Sequence, residues 1–321
     1  MTKSLAHPFL MCLIVLFGVP DVASAWHDRG HRATAHIAWD AMGAPLRGRV
    51  IAVLRQHPRF ETDFLSHVPG ELDPADNAAL GRWLLGQASI WPDLIQALDR
   101  DIQQQYNRSR WHYINRVVWL TDEDEKRLAN GLDHNMATAF EPPLRRDMNL
   151  IQALKGNLAI WHDAGASDAD KAVALCWILH LTGDLHQPLH TVALFSAEFF
   201  TSGDRGGNSI DVRQGDRTRN LHAVWDSLPT DMPNLAPSAS TLLSIENDVV
   251  DDHAIDEWLR QHAALAAKFV YTAGLKSQVL EGQTDGRPGT VVLSHEYRVA
   301  AESLARRQVN LAGYRISELL R

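Results

Sequence analysis

Cysteine is almost absent from this 321-residue chain, which contains only two. Cys12 lies in an apolar segment close to the amino terminus, and Cys176 lies in a second apolar run that spans residues 172–179. If the first segment is removed during export, one cysteine remains and no intramolecular disulfide can form. A thiol inside an apolar run is more often a buried, inert side chain than a nucleophile, so Cys176 is interpreted as a core residue.

The apolar run at residues 10–19 is too short to span a bilayer comfortably. It follows Lys3 and precedes Ala23-Ser24-Ala25, and this order of basic, apolar and small residues is typical of a secretory signal. A membrane anchor is the alternative. We predict a signal peptide at residues 1–25 and a mature domain at residues 26–321 that begins with Trp26. The mature protein would have no membrane span and would be secreted or periplasmic.

An excess of positive charge is missing as well. The formal net charge is −8, and loss of the signal leaves it unchanged because Lys3 and Asp21 are removed together. This sign does not suit a protein that binds duplex phosphates through a broad basic surface. Bound divalent cations would offset part of the deficit, so an anionic substrate would need only local attraction.

Helical periodicity dominates the rest of the chain. Residues 144–164, 255–275 and 294–320 are predicted to form amphipathic helices. Ser167-Asp-Ala-Asp is a cap for a further helix that runs through Lys171 to Asp184 and is apolar on most of its surface. Strands are indicated around residues 209–216, as a small β-hairpin in a loop region. With 45% hydrophobic and 22% charged residues, the composition argues against disorder. The sequence therefore predicts an all-α fold, a single mainly helical domain.

Histidine and aspartate are concentrated in the segment HLTGDLHQPLH at residues 180–190. On a helix, His180 and Asp184 lie one turn apart on the same face, and such a pair can hold a metal ion. Pro188 cannot continue the helix, so His190 should lie past a break and point in another direction. One short segment could therefore serve two metal centres.

The same His-x-x-x-Asp spacing recurs at His222 and Asp226, which makes coincidence improbable. Further candidate ligands are the backbone amine and carbonyl of Trp26 and the side chains of His31, Asp93 and His112. Imidazole and carboxylate groups without thiolate suit zinc in a catalytic site. Nine such residues exceed what one ion needs, and three ions fit.

Three of these candidates also have ordinary interpretations. His31 alone would be read as a histidine on a helix surface. Asp93 follows Pro92, and both residue types are favoured in the first turn of a helix. His112 lies between two aromatic residues and would commonly be a packed core histidine. Their interpretation as ligands depends on the other candidate ligands in the chain.

Taken together, these residues resemble the single-strand-specific trinuclear zinc nucleases, typified by mung bean nuclease and its fungal and bacterial relatives. The resemblance covers nearly all of the mature chain and is carried above all by residues 180–190, Gly206-Gly-Asn208 and Asn220-Leu-His-x-x-Trp-Asp226. The first and last of these motifs, in this order, are hard to obtain by chance. The resemblance implies a fold of the zinc-dependent phospholipase C/nuclease type.

The resemblance also implies three Zn²⁺ ions and a ligand set for each. The first ion would be bound by Asp93, His112, His180 and Asp184. The second would be bound by the amine and carbonyl of Trp26, by His31 and by a bridging Asp184. The third would be bound by His190, His222 and Asp226. His186 has no place among these ligands and is interpreted as structural.

In such nucleases the ions provide the attacking hydroxide and stabilise charge on the phosphoryl and leaving oxygens. The resemblance assigns catalysis to Asp184, Asp93 and Asn115. Relatives often carry an acid at the position of Asn115 and an arginine at the position of Gln96, so the chain departs from the family pattern at both. These two departures bear on rate and substrate preference.

Substrate binding is assigned by the resemblance to Tyr113, Asn208 and Gly207. Tyr113 would stack on a base, and Asn208 would recognise it. Stacking on an unpaired base tolerates any sequence and explains a preference for single strands. The expected partners are therefore single-stranded DNA and RNA and 3′-nucleotides, bound by a monomer.

The predicted function is a secreted zinc phosphodiesterase that cleaves single-stranded DNA and RNA to products with 5′-phosphates, with 3′-nucleotidase activity. A zinc-dependent phospholipase C is the alternative, although Tyr113 and Gly206-Gly-Asn208 favour the nuclease. A second alternative is an exported zinc-binding protein whose chemistry is weakened by Asn115 and Gln96.

If the amine of Trp26 is a ligand, one extra methionine ahead of it will lower both zinc content and turnover. An amide nitrogen cannot replace a free amine as a ligand, because its lone pair is delocalised into the peptide bond. Zinc per chain and rate are to be measured on proteins that begin at Trp26 and at the added methionine. Equal values for the two proteins would refute the role of the amine.

Overall fold

The computed structural model describes residues 26–73, 75–132, 134–228 and 252–321. The predicted signal peptide at residues 1–25 lies outside the described residues, so its cleavage stays a prediction. Within the ranges given, no helix combines the length and the apolar character needed to cross a membrane.

Helices dominate the described residues, which confirms the predicted mainly helical fold. These residues contain twelve α-helices: α1 Asp28–Ala41, α2 Ala44–Leu54, α3 Phe60–Asp63, α4 Asn77–Leu94, α5 Arg100–Tyr106, α6 Asp122–Leu128, α7 Leu150–His162, α8 Asp168–His186, α9 Leu221–Ser227, α10 Asp252–Leu265, α11 Ala273–Glu281 and α12 His295–Leu319. Four short strands accompany them: β1 Arg116–Trp119, β2 Val192–Phe195, β3 Asp211–Gln214 and β4 Arg217–Asn220.

Helix α8 lies at the centre of the fold. It begins after Ser167, whose hydroxyl accepts a hydrogen bond from the N–H of Asp170, the usual geometry of a serine cap. Every residue from Ala174 to His186 is buried, because α1, α2, α4, α7 and α12 all pack against this helix. Close packing on every side restricts side chains to few rotamers. Polar groups on α8 are therefore held in fixed positions inside the core.

Helices α1 and α12 approach each other closely at Gly313. A Cβ atom on this glycine would lie 2.5 Å from Cβ of Ile37 and 2.8 Å from the carbonyl oxygen of Thr34. The missing side chain thus sets the distance between the two helices. Because α1 also packs against α4 and α8, this contact helps to fix the helix that carries His31.

A two-stranded parallel sheet, formed by β1 and β2, was not predicted. Its register pairs Arg116 with Val192 and Trp119 with Phe195. Just before it, the N–H of Ile114 donates to the carbonyl of His190 at 2.9 Å, so the segments that follow His112 and His190 run side by side. Both strands are short and largely apolar, and such runs cannot be told from buried helix by periodicity.

The predicted hairpin is present as β3 and β4, which pair antiparallel around Gly215 at φ 60°. It leads directly into α9, whose first turn is capped by the side chain of Asn220. The prediction of one helix over residues 255–275 was wrong. Helix α10 ends at Leu265 and continues as a π-helical turn at Ala266–Val270, and α11 starts after Thr272, whose side chain accepts a hydrogen bond from the N–H of Leu275 and so favours a new helix start.

Replacement of Gly313 by alanine should destabilise the protein by about 1–3 kcal/mol, because the added methyl group overpacks the α1–α12 contact. Gly48→Ala in α2 is the matched control, since nothing lies within 4 Å of its would-be Cβ. In an open helix position this change should stabilise by up to about 1 kcal/mol. Urea unfolding of both variants measures the difference. Equal midpoints would contradict the assigned contact.

Candidate metal centre

His180 and Asp184 lie one turn apart on α8, as predicted, and both are fully buried. Nε2 of His180 is 3.4 Å from Oδ2 of Asp184. A carboxylate and an imidazole at this separation share a common point at which a cation can be bound by both.

Asp93 and His112 reach the same point from other parts of the chain. Nδ1 of His112 lies 3.2 Å from Oδ2 of Asp184 and 3.8 Å from Oδ1 of Asp93. The same nitrogen is 3.0 Å from Nε2 of His180, which itself is 3.6 Å from Oδ1 of Asp93. The four residues predicted for the first ion therefore converge on one position.

The position of Asp93 in its helix differs from the prediction. Pro92 and Asp93 lie in the last turn of α4, which runs to Leu94, and not in the first turn of a helix. The apolar residues from Leu84 to Trp91 are buried, and the chain stays helical through Pro92 to Leu94 before it tightens into a 3₁₀ turn at Ile95–Ala97. Asp93 is thus carried into the centre by the end of a helix.

His31 reaches Asp184 from α1 and faces the other carboxylate oxygen. Its Nε2 lies 3.3 Å from Oδ1 of Asp184, and its ring stacks on that of His180 at 4.0 Å between centroids. Neither ring nitrogen of His31 and neither carboxylate oxygen of Asp184 has a hydrogen-bond partner among the described residues, although all four atoms are buried. With one oxygen toward His31 and the other toward His112 and His180, Asp184 has the arrangement of a bridging ligand.

Gly183 provides the space for the His31 ring, a role that the sequence did not indicate. A Cβ atom at residue 183 would lie 2.6 Å from Nδ1 and 2.8 Å from Cε1 of His31. Only glycine lets the ring approach α8 this closely.

His190, His222 and Asp226 form a separate group. Nε2 of His190 is 3.0 Å from Nε2 of His222, which is 3.3 Å from Oδ2 of Asp226. His190 lies in a short 3₁₀ turn at Pro188–His190 that follows the end of α8, as the proline predicted. His222 and Asp226 lie one turn apart on α9.

Backbone carbonyl groups fix the orientation of three of the imidazoles. Nδ1 of His180 donates to the carbonyl of Ser89 at 2.8 Å. Nδ1 of His190 donates to the carbonyl of His112 at 2.6 Å, and Nδ1 of His222 donates to the carbonyl of Gly206 at 2.7 Å. A carbonyl can only accept, so each Nδ1 carries the proton and each Nε2 presents a lone pair. Such outer contacts are typical of metal-binding histidines.

Gln187 is a further residue that the sequence analysis missed. Its Nε2 donates to Oδ1 of Asp226 at 2.7 Å, and its Oε1 accepts from the N–H of Leu189. It therefore joins the end of α8 to α9 and orients the carboxylate of the separate group. Its place between His186 and Pro188 gave no signal, because glutamine is a common polar residue.

Burial determines the ionisation of these groups. It lowers the pKa of His31, His112 and His190, and it lowers that of His222 to about 4. The same desolvation raises the pKa of Asp184 and Asp226 well above the usual range. Neutral imidazole is the form that binds metal, and a buried carboxylate is stabilised in its charged form by a cation. Among the described residues, three His/Asp groups, two of which share His180, are spaced to hold a metal ion, and the donor chemistry fits zinc.

The predicted amino terminus lies close to this centre. Trp26 is fully buried beside Ile37, Ala305 and Val309. The N–H of His27 donates to the carbonyl of Asp226 at 3.2 Å. The start of the predicted mature chain is therefore hydrogen-bonded to α9, and ligation by the amine of Trp26 stays a prediction.

A family model of the S1/P1 nucleases matches residues 26–321. The chain belongs to this family. Endonuclease 1 of Arabidopsis thaliana is 47% identical over 222 residues, which are 67% of this chain and 56% of that protein. Nuclease S1 of Aspergillus oryzae is 41% identical over 69 residues, which are 22% of this chain and 20% of that protein.

Endonuclease 5 of Arabidopsis thaliana is 45% identical over 142 residues, which are 44% of this chain and 42% of that protein. The chain spans at most 56% of the length of the relatives compared here. The resemblance stated from the sequence is thereby confirmed at the level of the family.

In this S1/P1 family member a cavity of about 310 Å³ opens onto three of the candidate ligands, His112, His190 and His222. It is lined by Gln96, Ser109, His112, Tyr113, Asn115, Leu189, His190, Arg205, Gly206, Asn208 and His222. Tyr113 is 37% exposed at this cavity. The predicted residues Tyr113, Asn115 and Asn208 are therefore brought together, and Gln96 joins them through a 3.2 Å hydrogen bond from its Nε2 to Asp93.

Gly207 lies beneath this surface. It is buried at φ 83°, and a Cβ atom there would lie 3.2 Å from the backbone nitrogen of His222. Gly206 lines the cavity instead and supplies the carbonyl that orients His222. The structure thus gives Gly207 a packing role under the loop, and its binding of substrate stays a prediction.

His186 lies apart from the ligands, as interpreted. Its Nδ1 bonds to the carbonyl of Thr182 at 2.7 Å, and its Nε2 accepts from Arg315 at 2.8 Å. Both ring nitrogens are thereby occupied with structural partners.

Gly183→Ala should displace the His31 ring and weaken metal binding by about 10- to 100-fold, the usual cost of disturbing the support of a ligand. Zinc titration of the metal-free protein measures this, with Gly48→Ala as the control because its added methyl group meets open space. Unchanged zinc affinity in Gly183→Ala would show that the His31 position is not used for metal.

Proposed function

We propose that this protein is a zinc-dependent nuclease that cleaves phosphodiesters of single-stranded DNA and RNA, leaves 5′-phosphates and also acts as a 3′-nucleotidase. The observation that carries the proposal is the convergence of His31, Asp93, His112 and His180 on Asp184, a cluster that reaches the cavity through His112. Family membership and the names of the relatives support the same reading.

Three zinc ions would be bound by the sets already described. As the family resemblance implies, Asp93, His112, His180 and Asp184 would bind the first; His31, Asp184 and the amine and carbonyl of Trp26 the second; and His190, His222 and Asp226, whose ligand atoms lie close enough to share an ion, the third. When bound, such ions supply Lewis acidity and lower the pKa of water. Together they would add six positive charges to the formal −8 and leave the protein with about −2.

The protein residues would position the reacting groups. Asp184 would hold two ions at a fixed separation through its two oxygens. Asn115 lines the cavity and offers an amide that donates and accepts hydrogen bonds but cannot take a proton. We therefore assign Asn115 the orientation of water or phosphate.

Base recognition would occur at the rim of the cavity. The partly exposed ring of Tyr113 provides a face on which an unpaired base can stack. The side chain of Asn208 donates to the carbonyl of Arg205 at 2.8 Å, which holds the amide at the cavity and leaves its oxygen for a base edge. A base inside a duplex cannot reach such a rim without being unstacked, which favours single strands. We also propose that the protein is exported to the periplasm or medium and acts as a monomer.

The test is a turnover comparison by the zinc-loaded chain beginning at Trp26. Single-stranded DNA, RNA and 3′-AMP should be hydrolysed, with 5′-phosphate ends on the oligonucleotides, whereas phosphatidylcholine should not. Asp184→Asn, which removes the bridging charge, should lose both bound zinc and activity. Preference for phosphatidylcholine would indicate a phospholipase C. Full zinc occupancy without turnover on any substrate would indicate a zinc-binding protein.

A further inference from the structure

Arg205 stands out among the residues around the cavity. Of the described residues that line it, Arg205 alone carries a permanent charge. The chain as a whole has a net charge of −8, so it repels a nucleic-acid strand at long range. A cation at the entrance of the cavity would matter more here than on a basic protein.

The backbone around Arg205 is held in an unfavourable conformation. Arg205 has φ 60°, a value that costs free energy for a residue with a Cβ atom. Asp204 maintains it: this buried carboxylate accepts hydrogen bonds from the N–H of Leu194, the N–H of Gly207 and the hydroxyl of Tyr271. The loop is therefore fixed to β2 and to the core on either side of the arginine.

The guanidinium is left available by these contacts. The carboxylate of Asp204 is turned inward toward Tyr271. Among the described residues, no hydrogen bond or ion pair engages the Arg205 side chain, which is exposed. The carbonyl oxygen of the next residue, Gly206, accepts a hydrogen bond from Nδ1 of His222 and so orients its ring. The free cation thus lies at the rim, beside the group formed by His190, His222 and Asp226.

We propose that Arg205 is a substrate-binding residue that contacts a phosphate flanking the one being cleaved. This inference rests on the proposed nuclease function. The reacting phosphate belongs at the buried histidines and aspartates, whereas the exposed Arg205 is placed to meet the next phosphate along the strand. An arginine binds phosphate oxygens through two parallel N–H donors, which fixes the direction of the strand as well as adding affinity.

Salt dependence of binding tests the contact directly. The probe is a fluorescein-labelled, phosphorothioate-linked octathymidylate, whose modified linkages slow hydrolysis, measured by anisotropy on the zinc-loaded protein. Loss of one phosphate contact to a single strand should reduce the slope of log Kd against log salt by about 0.7. Arg205→Gln should show this reduced slope, whereas Arg205→Lys, which keeps the charge, should have a slope close to that of the wild type. Arg213→Gln is the control, because it removes the same charge from an exposed residue of β3.

Cleavage rates on two substrates distinguish a contact to a flanking phosphate from a contact to the reacting phosphate. The dinucleoside monophosphate TpT has one phosphodiester and no flanking phosphate, whereas an octathymidylate has several. Arg205→Gln should lower kcat/KM on the octamer by about five- to tenfold at low salt and leave TpT within about twofold. Equal loss on both substrates would refute the flanking position, and identical slopes for Arg205→Gln and Arg213→Gln would refute the contact.

Controls distinguish the proposed role of Arg205 from the proposed nuclease function. Zinc content and thermal midpoint should match the wild type; if Arg205→Gln is misfolded, Arg205→Asn is used, since asparagine tolerates this φ. Failure of the wild type to cleave either substrate would overturn the nuclease function, and the binding slopes would then decide on Arg205 alone. Cleavage by the wild type with unchanged slopes would overturn only the role of Arg205.

Discussion

The interaction on which the structure depends is the meeting of the Asp184 carboxylate with the imidazoles of His31, His112 and His180 inside the core. A buried carboxylate without a permanent positive partner costs several kcal/mol, and burial also keeps the imidazoles neutral. Both ring nitrogens of His31 and both oxygens of Asp184 lack a hydrogen-bond partner among the described residues, and a divalent cation would supply a partner for such donor atoms. If the proposed ions bind here, the stability of the core should depend on them.

The helices serve to bring this donor set together. Helix α8 supplies two donors at a spacing fixed by its own geometry, and it is buried so completely that they cannot turn to solvent. The remaining donors come from α1, from the end of α4 and from a turn before β1. Particular contacts between elements hold the donors in place. Gly183 admits the His31 ring, the Ser89 carbonyl orients His180, and the pairing of β1 with β2 aligns the exits of His112 and His190. The small parallel sheet thus has a structural role out of proportion to its size.

In this acidic protein, attraction for an anionic substrate would be local. The metal groups, the aromatic face of Tyr113 and the guanidinium of Arg205 surround one cavity, while the rest of the surface carries the negative excess. For the proposed nuclease function, attraction confined to the cavity would favour a strand that can enter it over a rigid duplex held by a broad surface. The glycine-rich loop makes this arrangement possible, because Asp204 anchors it in the core while its strained tip presents Arg205, Gly206 and Asn208.

The sequence by itself determined the features that depend on local spacing: the helical character, the hairpin, the His180–Asp184 and His222–Asp226 pairs, the break at Pro188 and, through its motifs, the family. The assignment of each remaining ligand came from the resemblance and not from spacing. Only the tertiary structure decided that Pro92 and Asp93 lie at the end of a helix and that β1 pairs with β2. It also decided that the helix predicted over residues 255–275 is interrupted before Thr272, and that Gly206 lines the cavity whereas Gly207 is buried beneath it. It also revealed Gly183 and Gln187, whose roles depend on partners distant in the chain. The physical reason is that helix spacing acts over a few residues, whereas close approaches and buried hydrogen bonds depend on how separate elements pack.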